Sequence, residues 1–193
     1  MSTTDLNVSI GFKLTICRFI NSSLLLLIIN YDHATKWFDE GGLVFDASVL
    51  MILMAISNPV VYFLNPMALF RKLKIWYYKR KGKDCPLTQL EANTLYEGTE
   101  INVSDNISQY FSMIATCIFF APIIPNAIPL AFVGSVLYYF VAKVMLLRFH
   151  KTPDMLSRTM GTFFANFMPY LIFIQAISFL IFIENIERTY NGR

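Results

Sequence analysis

The stretch from Ile107 to Arg148 is an almost uncharged apolar run, about two bilayer widths long, interrupted in its middle by Pro122, Pro125 and Pro129. A membrane span takes ~20 apolar residues, and the hydrocarbon interior offers no water to loose backbone amides. The run must therefore fold as two helices joined at a tight proline turn. Lys143, the one charge between Asp105 and Arg148, falls where the second helix reaches an interface, and its amine can snorkel to the headgroups.

Apolar residues make up 55% of the chain and charged ones 15%, well below the ~25% of soluble domains, which excludes a large water-facing domain. Three further apolar segments complete the pattern. Lys13 to Tyr31 is interrupted by Arg18 and Asn21. Leu43 to Phe70 carries Asp46, Asn58-Pro59 and Asn65-Pro66. Gly161 to Ile183 contains Pro169. The reading is an all-α, polytopic transmembrane helix bundle forming one domain over 1–193. Its five spans lie at about 12–31, 43–70, 107–124, 127–147 and 161–183, with a basic cytoplasmic loop over 71–106. The first span, with its flanking Arg18, is expected to pack against neighbours outside this chain.

Lys and Arg set the orientation. With the amino terminus inside, Lys13, Arg18, the cluster from Arg71 to Lys83, Lys143, Arg148, Lys151 and Arg158 all sit at cytoplasmic ends; only Lys36, Arg188 and Arg193 fall outside. The expected location is an integral, multi-pass position in the plasma membrane with a cytoplasmic amino terminus. The first apolar segment begins late and lacks a small-residue cleavage site, so no signal peptide is read. Cys17, Cys85 and Cys117 lie on the reduced side of this topology, and no disulfide is expected. Asn7, Asn21, Asn102 and Asn106 open Asn-x-Ser patterns, yet the topology keeps them from the glycosylation machinery.

The segment holding Arg71, Lys72, Lys74, Trp76, Lys79, Arg80 and Lys81 interleaves cations with aromatics, as nucleic-acid binders do. Its position directly after a span argues instead for a stop-transfer and lipid-headgroup anchor, worth ~1 kcal/mol per basic residue near anionic lipid. His150 and Asp154 are spaced as H-x-x-x-D, a pattern some acyltransferases use, but no companion motif accompanies it, and a solvated turn around Pro153 explains it. Asp32, His33, Asp39 and Glu40 form an acidic outer loop without regular ligand spacing. No enzymatic activity, metal site or cofactor is expected.

What remains is polarity inside spans: Asp46, Ser57, Asn58, Asn65, Asn166 and Gln175, accompanied by prolines including Pro59. Singly, each is explained by helix-to-helix hydrogen bonds or benign kinks. As a set, polar groups beside broken helices point to a permeation path, because freed carbonyls are tolerated where they line a cavity.

The order of features carries a resemblance. Arg18-Phe-Ile-Asn21 is followed by a long kinked helix from Gly42 to Phe70, then a basic segment and a loop ending in Leu95-Tyr-Glu-Gly-Thr-Glu-Ile101. Gln109-Tyr-Phe111 leads into Phe119-Phe-Ala-Pro-Ile-Ile-Pro125, and a second helix begins at Pro129 and ends in Tyr138-Tyr-Phe140. This resembles the carboxyl-terminal half of the membrane core of the calcium-permeable stress-gated cation channels, the OSCA family, which shares a fold with the anoctamins and the transmembrane channel-like proteins. The match runs over roughly Lys13 to Ile183.

The resemblance implies a partial or short member of a mechanically or osmotically gated, calcium-permeable channel family, in which 42–70 is the gating helix and Asn58-Pro59 its bend. It implies a homodimer, or assembly with a longer channel subunit, in contact with membrane lipids and permeant cations including Ca2+, and not with nucleic acid. Two alternatives stay open: a lipid scramblase or transporter on the same scaffold, and a truncated, non-conducting accessory membrane protein.

Overall fold

A computed structural model describes residues 3–31, 37–38, 41–64, 66–81, 88–97, 102–150 and 158–191. Among them the chain is built of helices: α1 (Thr3–Phe19), a π-helical turn (Ile20–Leu24), α2 (Leu25–Tyr31), α3 (Leu43–Leu64), α4 (Pro66–Lys81), α5 (Gln89–Tyr96), α6 (Val103–Phe120), α7 (Ala127–Arg148) and α8 (Arg158–Asn191). Four helical stretches are long and apolar enough to cross a membrane: Leu6–Tyr31, Leu43–Leu64, Ala127–Arg148 and Ala165–Glu187. The molecule is an all-α, multi-pass membrane bundle.

The third apolar segment behaves differently from the other four. Asn102 caps α6 by accepting from the Asp105 amide at 3.3 Å, so the helix starts at Val103 rather than near residue 107 and takes in Ser104, Asp105 and Asn106. These groups and Ser108, Gln109, Ser112 and Thr116 dilute its apolar character. At about 1.5 Å per residue its 18 residues span about 27 Å, close to the ~30 Å of a hydrocarbon core. Polarity is tolerated because α6 is the central helix, packed against α1, α3, α7 and α8 and touching protein rather than lipid along much of its length.

At one end, α6 turns into α7 through 121–126, where the Ile123 and Ile124 amides both bond to the Phe120 carbonyl and the Ala127 amide to that of Ile124. Pro122 and Pro125 occupy the turn. Pro129 is the third residue of α7, where a backbone N–H has no intrahelical acceptor to lose. Ile124 and Ala127 are buried and dock the turn into a core of Trp37, Leu43, Phe119, Phe120 and Phe182. Trp37 and Phe119 both meet Phe182, with ring centroids 5.8 and 5.6 Å away and planes steeply inclined. Trp37 Nε1 also donates to the Asn30 carbonyl at 2.8 Å, fixing the connection from α2 to α3.

Along α3, every fourth residue from Leu43 through Ala47, Met51, Ala55 and Pro59 is buried. This ridge packs most extensively on α7. At the crossing stands Gly134, where a Cβ would lie 3.0 Å from Met113 Sδ on α6 and 3.1 Å from Ala55 Cβ on α3. A side chain at this position would push three helices apart. The span expected over 43–70 ends as α3 at Leu64, and the segment expected as a basic loop over 71–106 holds most of α4, all of α5 and the first turn of α6. In α5, Thr88 and Glu91 form a reciprocal capping box.

Two outcomes are expected. Gly134→Leu should cost about 1–3 kcal/mol by overpacking, read as a lowered thermal midpoint in lipid nanodiscs; an unchanged midpoint would show that the crossing is not close-packed. The Thr88 backbone amide, and secondarily its hydroxyl, hold the Glu91 carboxyl below the usual glutamate range. Its capping contribution is therefore full above the unfolded pKa and is lost as pH falls through the lower folded value. Amide protection over Gln89–Ala92, taken relative to the intrinsic exchange rate at each pH, should fall as pH drops through that window, and should not change there in Glu91→Gln.

Candidate functional site

Arg18, on α1 within the first apolar stretch, is 29% exposed, and its charge has to be answered. It is answered inside the chain, by α6. Nη2 donates to Asp105 Oδ1 at 2.6 Å, Nη1 donates to the Asp105 carbonyl at 3.0 Å, and Nη1 also reaches Ser108 Oγ. Gln109 Nε2 lies 3.4 Å from the other carboxylate oxygen. Helical side chains lean toward the helix amino terminus, which lets the long Arg18 stem reach back to the first turn of α6.

The clasp belongs to a seam. Ser104, Ser108, Ser112 and Thr116 recur every fourth residue, so they share one face of α6, and all four are buried. Ser104 Oγ donates to the Asn7 carbonyl at 2.9 Å, and Thr116 Oγ1 donates to the Ser112 carbonyl at 2.8 Å while accepting from Ser23 Oγ at 2.9 Å. Ser22 Oγ lies 3.1 Å from the same Thr116 oxygen. Two consecutive residues reach one partner because they sit in the π-helical turn, where the Leu25 amide bonds to the Ile20 carbonyl five residues back. Small side chains allow the close approach, and hydrogen bonds in a medium without water hold it.

Near the Asp105 end of the seam, rings from three helices stack. Tyr110 of α6 lies 5.3 Å from Tyr138 of α7, Tyr138 lies 5.8 Å from Tyr62 of α3, and Tyr62 lies 6.1 Å from His150 just beyond α7, with planes inclined by 28°, 15° and 14°. The Tyr138 hydroxyl donates to the Asn106 carbonyl at 2.8 Å. Asp154, the other half of the H-x-x-x-D pattern, lies outside the described residues, as do Asp32, His33, Asp39 and Glu40. Among the described residues no cluster of His, Cys, Asp or Glu is suited to a metal.

The expected pore residues divide into two groups. Asp46, in the first turn of α3, is half-buried, as are Ser57 and Asn58, and Pro59 is buried on the ridge. Asn166 and Gln175 are exposed on α8, a helix that packs on α6 and α1, so the structure does not gather them with the α3 set. Asn65 lies outside the described residues. Of the expected headgroup anchors, Arg71 is engaged by the protein, donating to the Glu97 carbonyl at 2.6 Å and the Phe149 carbonyl at 3.1 Å. Lys72 sits 4.0 Å over the Phe149 ring. Lys74, Trp76, Lys79, Arg80 and Lys81 are exposed.

Neither Asp105 nor the Ser/Thr stripe was read from the sequence as functional. The four-residue spacing was a usable signal, but the ion pair was not, since its partners are 87 positions apart. No protein-family model, curated protein or solved structure matches the chain.

A double-mutant cycle tests the clasp. Arg18→Ala and Asp105→Ala should each lower stability, while the double variant should fall short of their sum by ~0.5–3 kcal/mol. Strict additivity in thermal melts of the nanodisc-embedded protein would mean the two charges do not interact.

Proposed function

We propose that this chain is a channel-type membrane protein of the stress-gated cation channel kind, supplying gating and pore helices. One observation carries the reading: beside the central helix α6 runs α3, an apolar helix with Pro59 inside it and two half-buried polar residues, Ser57 and Asn58, next to that proline. Polar groups beside a proline inside a span are the pattern expected where a helix lines a path for cations.

The mechanism rests on α3. Pro59 has no amide hydrogen, so the Ala55 carbonyl four residues back lacks its helical donor and the helix can bend there. Ala55 is also where α3 meets Gly134 of α7 and Met113 of α6. A bend at Pro59 is thereby coupled to the separation of three helices, and tension favours the arrangement with the larger area in the membrane plane. Ser57 and Asn58, half-buried beside the bend, are the polar groups such a motion would turn toward ions. Asp46 at the other end of α3 would favour cations, Ca2+ included. The working assembly in this proposal is a homodimer, or a complex with a longer channel subunit, in the plasma membrane with the amino terminus cytoplasmic.

A second reading, a lipid scramblase, is favoured by Asn166 and Gln175, whose exposed amides on an apolar outer surface offer hydrogen bonds to passing headgroups.

Patch recordings from giant liposomes holding the purified protein decide between them. The channel reading expects stretch-evoked cation current, with a threshold shifted by Pro59→Ala and an amplitude changed by Asn58→Leu. Folded protein that passes no current, yet equilibrates fluorescent lipid between leaflets in a Gln175-dependent way, would replace it with the scramblase. Loss of both activities together with crosslinking to a larger channel would leave the accessory role.

A further inference from the structure

The charge of this protein is concentrated in one helix. Between Pro66 and Lys81, α4 has six cations and no acid, whereas the whole chain is net +3, so everything outside α4 sums to net −3. One residue separates α4 from the end of the apolar helix α3. The cations therefore start at a membrane surface.

They divide by task. Arg71, half-buried, donates to the Glu97 and Phe149 carbonyls, and Lys72, itself exposed, lies over the Phe149 ring, so the two fix α4 against the end of α7. Lys74, Lys79, Arg80 and Lys81 are left exposed, and between them lie exposed Leu73, Trp76 and Tyr77. Arg80 lies 4.9 Å from the Trp76 ring and Lys81 5.3 Å from the Tyr77 ring, so cation and ring are presented together one helical turn apart. An aromatic belt residue paired with a cation places an apolar ring at headgroup depth and a positive charge beside the phosphate.

We propose that α4 is a binding surface selective for anionic phospholipid headgroups in the adjoining leaflet, with Lys74, Lys79, Arg80 and Lys81 as its headgroup ligands. Charge complementarity selects the occupant: a zwitterionic surface offers these four cations no net attraction, whereas an anionic one attracts each. The interleaved apolar and aromatic residues favour lipid over a soluble polyanion, which gives Leu73 nothing apolar to enter. The Arg71 and Lys72 contacts make the surface part of the bundle, so headgroups held on α4 bear on the ends of α3 and α7.

Trp76 is the reporter. The chain has two tryptophans, and Trp37 is 2% exposed in the core. The full-length protein is placed in nanodiscs of phosphatidylcholine with a minority of phosphatidylglycerol, one lipid or the other carrying brominated chains at equal mole fraction. Quenching of Trp76 is read as the difference from Trp76→Phe. Brominated phosphatidylglycerol should quench at least about twofold more strongly than brominated phosphatidylcholine. The preference should vanish in the variant with Lys74, Lys79, Arg80 and Lys81 all changed to Gln. It should also collapse in the unmodified protein as salt rises from ~0.01 M to ~1 M and the screening length falls from ~30 to ~3 Å, a measurement independent of how the variant folds. Equal quenching by the two lipids, or a preference that survives high salt, overturns the proposal. So does a single-stranded oligonucleotide that abolishes the preference at physiological salt, which would assign α4 to nucleic acid. None of these outcomes depends on whether the protein conducts.

Discussion

The bond between Arg18 and Asp105 is the constraint on which the bundle depends. A guanidinium within an apolar helix is costly by several kcal/mol unless it is paired, and this one is paired by a carboxylate, a carbonyl and a hydroxyl from a single turn of α6. Because Asp105 sits in the first turn of α6, its negative charge also faces the positive end of that helix dipole. The pairing fixes which face of α6 meets α1, and the Ser104, Ser108, Ser112 and Thr116 stripe follows along that face. Once α1 covers the polar face, the rest of α6 is free to present Met113, Cys117 and Phe120 to other neighbours.

The opposite side of the bundle follows a different logic. There α3 and α7 meet through a ridge of buried small and apolar residues and a single glycine, with no ion pair among the described contacts. In lipid, such contacts gain little from hydrophobic burial and depend on shape. The bundle thus has one joint held by charge and hydrogen bonds and one held by shape, with Pro59 in the second. At the end of the molecule where the two joints meet, the rings of Tyr110, Tyr138, Tyr62 and His150 run from one to the other.

Much of the architecture was legible in the chain. The proline turn between α6 and α7, the separate apolar stretches and the basic exit from α3 all follow from local rules about span length, proline and snorkelling charge. What escaped was nonlocal. The partner of Arg18 is not legible from local sequence, because it comes only after α2, α3, α4 and α5. Asn102 as a cap extends α6 by a turn beyond the apolar run, and that turn holds Asp105. For the candidate site, hydropathy identifies residues out of place but not the direction they face: Asn58 and Gln175 look alike in sequence, yet one is half-buried between helices and the other is exposed. Arg71 is similar. Its neighbours reach outward as the local pattern implies, while it bonds to two carbonyls supplied by distant loops.

The 87-residue separation of Arg18 and Asp105 also bears on how the protein is made. Chains emerge at roughly 5–20 residues per second, so the first helix waits roughly 4–17 s for its counter-charge. During that interval its guanidinium lacks its partners from α6, although Leu6–Tyr31 is by itself long and apolar enough to cross a membrane. The joint between α1 and α6 therefore forms only after α6 has been made. A chain truncated before α6 would leave this cation without the three partners that answer it.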